Sequence, residues 1–89
     1  MNKIKSNREI IEAAAKKFGM TVGCYDEKIE LLNARQLKKV IEKAEYGWGD
    51  VGLVLNGTRY VVEVFHVDNE IDFNVMTKRE YVNQYGDNK

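Results

Sequence analysis

Between Asp50 and Met76 apolar residues alternate with polar ones in three runs, separated by Asn56-Gly57 and Asp68-Asn69. Period-two alternation predicts strands. Asn-Gly between two such runs suits a two-residue type I′ hairpin, because both residues must accept positive φ. That turn sets Leu55 opposite Thr58, Leu53 opposite Tyr60 and Val51 opposite Val62. A second two-residue turn at Asp68-Asn69, a poorer type I′ pair, sets Val67 opposite Glu70, Phe65 opposite Asp72 and Glu63 opposite Asn74.

Side chains alternate across a strand, so this register sorts them onto two faces. Val51, Leu53, Leu55, Tyr60, Val62, Val64, Ile71, Phe73 and Val75 form an apolar face that must be the core. Val54, Arg59, Val61, Glu63, Phe65, Val67, Glu70, Asp72, Asn74 and Met76 fall on the other. That second face interleaves sizeable apolar side chains with charges, too apolar for plain surface and too charged for plain core.

Elsewhere the period is helical. Ser6-Asn7-Arg8-Glu9 reads as a capping box, and Ile11, Ala14, Ala15 and Phe18 recur at i, i+3, i+4, i+7 until Gly19. Asn33 and Gln36 open a second helix with Leu37, Val40, Ile41 and Ala44 on one face, ended by Gly47. Met20 and Trp48 each follow the terminal glycine, where a side chain folds back on the last turn. Thr77-Lys78-Arg79-Glu80 opens a short third helix through Tyr85, with Tyr81, Val82 and Tyr85 as its less polar side, and residues 87–89 read as a frayed tail. In residues 20–32 Met20, Val22 and Cys24 alternate, which fits a short strand or a hairpin continued by Ile29 and Leu31. The expectation is one α+β domain over residues 1–89: a two-layer sandwich of two amphipathic helices on a three-stranded antiparallel meander. The short third helix packs at the sheet edge or over part of the mixed face.

Composition narrows the class. Eighty-nine residues suffice for one domain, and 44% hydrophobic content argues against disorder. No apolar run reaches membrane-span length, the first ten residues lack the apolar stretch of a secretory signal, and one cysteine forms no internal disulfide. A cytoplasmic protein without membrane contact is expected. Net charge is zero, with 14 basic and 14 acidic residues. Residues 1–45 carry ten Lys/Arg against seven Asp/Glu, and residues 46–89 carry four against seven.

Candidate chemistry is sparse. Cys24 and His66 are the sole residues of their kinds. A lone cysteine in an apolar alternation reads as buried and inert, and His66 as a partly buried histidine near Ile71. Together they fall short of a metal set, which needs three or four ligands. Asp50 and Glu63 on neighbouring strands resemble the strand pair of metal-dependent nucleases. Phe65 stands where those enzymes carry lysine, and the chain is too short for that fold. No catalytic residue, metal or cofactor is therefore expected. Arg35, Lys38, Lys39 and Lys43 offer a basic helix surface for nucleic acid, interleaved with Glu42 and Glu45 and joined to them by pairs such as Lys38–Glu42. On the other helix Glu12 is expected to pair with Lys16. Trp48 reads either as a core anchor or as an interface hot spot.

The leading expectation is a non-enzymatic protein-binding module, self-associating or acting on a larger protein. Its surface comprises Val54, Arg59, Val61, Glu63, Phe65, Val67, Asp72, Met76 and Trp48, with strand pairing along an uncovered edge as a second mode. Richness in Lys, Asn and Ile suits an AT-rich bacterial or phage gene, so a phage-type inhibitor or adaptor of a host protein is its sharpest form. The alternative is a nucleic-acid-associated regulator using Arg35, Lys38, Lys39 and Lys43.

Overall fold

The computed structural model describes residues 6–86. Its elements in order are α1 (Asn7–Lys17), β1 (Thr21–Tyr25), a 3-10 helix (Glu27–Leu31), α2 (Ala34–Tyr46), β2 (Trp48–Leu55), β3 (Thr58–Val67), β4 (Glu70–Thr77) and α3 (Lys78–Tyr85). The fold is α+β, with an open sheet ordered β1-β4-β3-β2.

The hairpin registers match the expected ones. Leu53 pairs with Tyr60, Val51 with Val62, Phe65 with Asp72 and Glu63 with Asn74. Asn56 and Gly57 take φ of 54° and 83°, as a type I′ turn demands. At the second turn only Asp68 is left-handed, with φ 56°, so it departs from type I′ while still keeping a two-residue register.

The three-stranded antiparallel meander needs correction. β1 adds a fourth strand, and it pairs parallel to β4, so the sheet is mixed. A hairpin within residues 20–32 does not form, because the chain turns into the 3-10 helix after Tyr25. Asp26 caps that helix by accepting from the Lys28 N–H at 2.8 Å, and Ile29 is driven fully into the core.

All three capping boxes are present, at Ser6–Glu9, Asn33–Gln36 and Thr77–Glu80. α1 ends as expected. The Met20 N–H donates to Ala15 O at 2.9 Å and the Gly19 N–H to Lys16 O at 3.0 Å, a Schellman closure. The core lies between the apolar sheet face and the inner faces of α1 and α2. Ile11 and Ala15 from α1, Leu37, Val40 and Ala44 from α2, and Val62, Val64, Ile71 and Phe73 from the sheet are its buried centre.

α1 is tied to the 3-10 helix by a polar cluster. The Glu30 carboxylate accepts from the N–H groups of Asn7 and Arg8, both at 2.9 Å, at the positive end of the α1 dipole. The Tyr25 hydroxyl donates to the same carboxylate at 2.5 Å, and the Arg8 guanidinium lies 5.0 Å from the Tyr25 ring. The Tyr25 hydrogen bond holds Glu30 below its ordinary pKa, while burial and then Glu30 raise Tyr25 well above its own.

Candidate functional site: the second face of the sheet

The face turned away from α1 and α2 carries side chains in cross-strand rows. From one end they run Val54–Arg59, Gly52–Val61–Met76, Asp50–Glu63–Asn74, Trp48–Phe65–Asp72 and Val67–Glu70. α3 leaves the end of β4 and packs chiefly across β3 and β4, so it covers part of this face and divides it.

Under α3 the face behaves as core. Val61 is 5% exposed, which removes it from any binding surface and corrects its place among the expected contact residues. Met76 beside it is half-buried. α3 also binds the carboxylates of the third row. The Tyr81 hydroxyl donates to Asp50 Oδ2 at 2.7 Å, and this bond, ahead of desolvation and the Asp50 charge, raises the Tyr81 pKa to about 12. Tyr85 is raised in the same direction, first by hydrogen bonding to Glu63. The two tyrosine rings lie 4.9 Å apart, and the Lys78 ammonium lies 5.7 Å from the Tyr81 ring. Asp50 is thus engaged by Tyr81, and Glu63 lies close enough to Tyr85 to raise its pKa. Among the described residues no three His, Cys, Asp or Glu side chains gather into a metal-holding group.

Beyond α3 the face is open. Trp48 is 65% exposed, so the reading of it as a core anchor is corrected. The reason is its place in the strand. Trp48 begins β2 and pairs with Phe65, on the same side as Asp50, Gly52 and Val54. Tyr46, the last residue of α2, is 72% exposed and tilts against Trp48 with ring centroids 5.8 Å apart. Phe65 is half-buried next to Trp48, and Val67 is 42% exposed. Tyr46 was absent from the expected site; the signal was an aromatic residue on each side of Gly47, Tyr46-Gly47-Trp48. At the opposite corner, Val54 is 54% exposed and Arg59 is exposed.

Asp72 closes the open end on the β1 side. Its Oδ1 accepts from the Cys24 N–H at 3.0 Å, a donor released from the β1–β4 ladder by a register shift between Val22 and Tyr25. Gly23 makes this approach feasible: a Cβ there would lie 2.3 Å from Asp72 Oδ1. Cys24 is exposed rather than buried, because the irregularity in β1 turns it outward. His66 is also exposed. Its Nε2 donates to the Ala44 carbonyl at 2.8 Å and satisfies one of the orphan carbonyls in the last turn of α2. Cys24 thus contributes its backbone N–H to the Asp72 carboxylate, and His66 on β3 binds the end of α2.

The basic candidates Arg35, Lys38, Lys39 and Lys43 are all exposed on α2. Lys38 borders a furrow of about 620 Å³ between α1 and α2, floored by Ile10, Leu37 and Ile41. Lys39 and Lys43 flank β2 instead, with Glu42 and Asp50 beside them. The Lys43 stem crosses Gly49, where a Cβ would meet its Cδ at 2.6 Å. Glu42 borders both depressions, so an acidic side chain lies among these cations. Among the described residues the ion pairs are Arg8–Glu12 and Lys28–Asp26; Glu12 turns to Arg8 rather than Lys16, and Lys38–Glu42 does not close. Lys3 and Lys5, also basic, lie outside the described residues, as does the tail.

No protein-family model matches the chain, and no curated protein or solved structure shows significant similarity to it. No helix among the described residues is long and apolar enough to cross a membrane.

Proposed function

We propose that this chain is a non-enzymatic protein-binding module whose contact surface is the open end of the second sheet face. Trp48, Tyr46, Phe65 and Val67 are its apolar centre, with Asp72 and Glu70 at its margin. One observation carries the reading: Trp48 and Tyr46, 65% and 72% exposed, lie tilted against each other at the open end of the face instead of entering the core. Water exposure of two large aromatic side chains forgoes roughly 1.5–3 kcal/mol for each apolar side chain of that size. A partner recovers that free energy, and aromatic anchors of this kind dominate binding at interfaces. An apolar centre with a polar margin is the usual anatomy of such a surface.

Its small size suits an inhibitor or adaptor of a larger protein, and the Lys-, Asn- and Ile-rich composition suits a phage or bacterial setting. The nucleic-acid reading gains no comparable support, since Glu42 lies among Lys38, Lys39 and Lys43. The test is affinity capture from a native lysate with wild type, Trp48→Ala and Phe65→Glu. The wild type should recover a defined protein that both variants lose while their circular dichroism spectra at the capture temperature stay those of the folded chain. Recovery of the same protein by all three would show the reading to be wrong.

A further inference from the structure

β2 is an edge of the sheet, with β3 on one side and, among the described residues, no strand on the other. In a two-residue hairpin the residues flanking the turn exchange both backbone hydrogen bonds, so Leu55, Leu53, Val51 and Gly49 direct their N–H and C=O groups at β3. The His66 N–H bond to Gly47 O at 3.2 Å continues that odd-numbered series. The backbone groups of Val54, Gly52, Asp50 and Trp48 therefore point away from the sheet; the Val54 carbonyl among them accepts from Gln36 Nε2 at 3.3 Å, a side-chain bond that a pairing strand would displace.

Proteins usually blunt such an edge with lysine, proline, a bulge or a short strand. β2 has none of these. It is eight residues long, its register with β3 is unbroken, and Asp50 is its one charged residue. α3 packs chiefly over β3 and β4 and reaches β2 through the Tyr81 bond to the Asp50 side chain, not through the strand's outward backbone groups.

We propose that a second copy of this chain pairs antiparallel along the β2 edge, with the two Val51 residues facing each other at the two-fold axis. The proposal rests on the reading of the chain as a protein-binding module and names one partner for it. Residues opposite each other in a ladder share a sheet face, so near the strand centre the axis falls on Asp50, Val51 or Gly52. An Asp50 axis sets two carboxylates opposite each other, which is unfavourable. A Gly52 axis sets Trp48 against Asn56, in the turn. The Val51 axis sets Trp48 against Val54, Gly49 against Leu53 and Asp50 against Gly52. Each exposed apolar side chain of the strand then covers its counterpart on the other copy, and each glycine faces a larger residue.

The flank of α2 fits the same arrangement. Lys39, Glu42 and Lys43 border this edge together with Asp50, Val51 and Gly52, and none of the three makes an ion pair among the described residues. Antiparallel apposition brings Glu42 of one copy towards Lys39 and Lys43 of the other. A strand edge with one helix flank lies at the small end of specific interfaces, so the dimer is a weak one.

Gly52 provides the test. It is exposed, and a Cβ there meets nothing within 4 Å, so charged substitutions leave the monomer intact. In the Val51 register residue 52 faces Asp50 of the other copy. Sedimentation velocity over a concentration series should show a monomer–dimer equilibrium for wild type, weakened about tenfold by Gly52→Glu and kept or tightened by Gly52→Lys. A wild type monomeric at every concentration overturns the proposal, as does a dimer that both variants weaken equally or that neither affects. The capture experiment is independent: a monomer that still recovers a partner through Trp48 and Phe65 overturns self-pairing alone.

Discussion

Val61 and Phe65 sit on the same strand and point to the same side of the sheet, yet one is core and the other borders open surface. The difference lies in what crosses above them. α3 spans the Val61 half, and its Tyr81 holds Asp50. Over the Phe65 half the neighbours are Trp48, Val67 and Asp72, and Trp48 is left in water. A short helix is therefore enough to turn half of an ambiguous face into core. The composition of the two halves does not decide their roles; the reach of α3 does.

The same substitution in both halves breaks the comparison most strongly. Val61→Glu places an unpaired charge under α3 and should cost about 3 kcal/mol or more, with early loss of helix signal in urea unfolding. Phe65→Glu should cost about 1 kcal/mol or less, because its carboxylate reaches water. Equal effects would mean that α3 does not distinguish the halves.

An intermediate effect is expected at Gly23, on the Asp72 side of the open half. Gly23→Ala forces the Asp72 carboxylate away from the added Cβ and breaks its bond to the Cys24 N–H. A loss of about 1–3 kcal/mol in denaturant unfolding should follow.

The smallest stability effect concerns the covered half at high pH. Tyr81 titrates at about 12 in the folded chain and near 10 when unfolded. Between those values the unfolded state has lost the proton that the folded state keeps. The Tyr81 contribution is therefore fully present below pH 10 and lost as pH rises through 12. Stability of the wild type should fall more steeply than that of Tyr81→Phe across this window, measured by urea midpoints.

Much of the fold could be read from local signals. Asn56-Gly57 gave the β2–β3 register, and the three capping boxes gave the helix starts, because each is satisfied within a few residues. The parallel β1–β4 pairing joins Thr21 to Glu70, far apart in sequence and with no turn between them to mark it. Val61 was misplaced for a related reason: the docking of α3 is a tertiary event that periodicity does not encode. Trp48 was legible in part. Gly19-Met20 and Gly47-Trp48 look alike, but Met20 closes back onto α1 while Trp48 enters a strand. Carrying the alternation of β2 back from Val54 through Gly52 and Asp50 puts Trp48 on the open face.

Trp48 is the single tryptophan of the chain, so its fluorescence reports the open half without labelling. In dilute protein the emission should resemble that of tryptophan in water and be quenched readily by acrylamide. It should shift to the blue and become protected when a partner or a second copy covers β2. A blue-shifted, quencher-resistant emission in the dilute monomer would mean that the fold itself closes this end of the sheet, and the proposed binding surface would not exist.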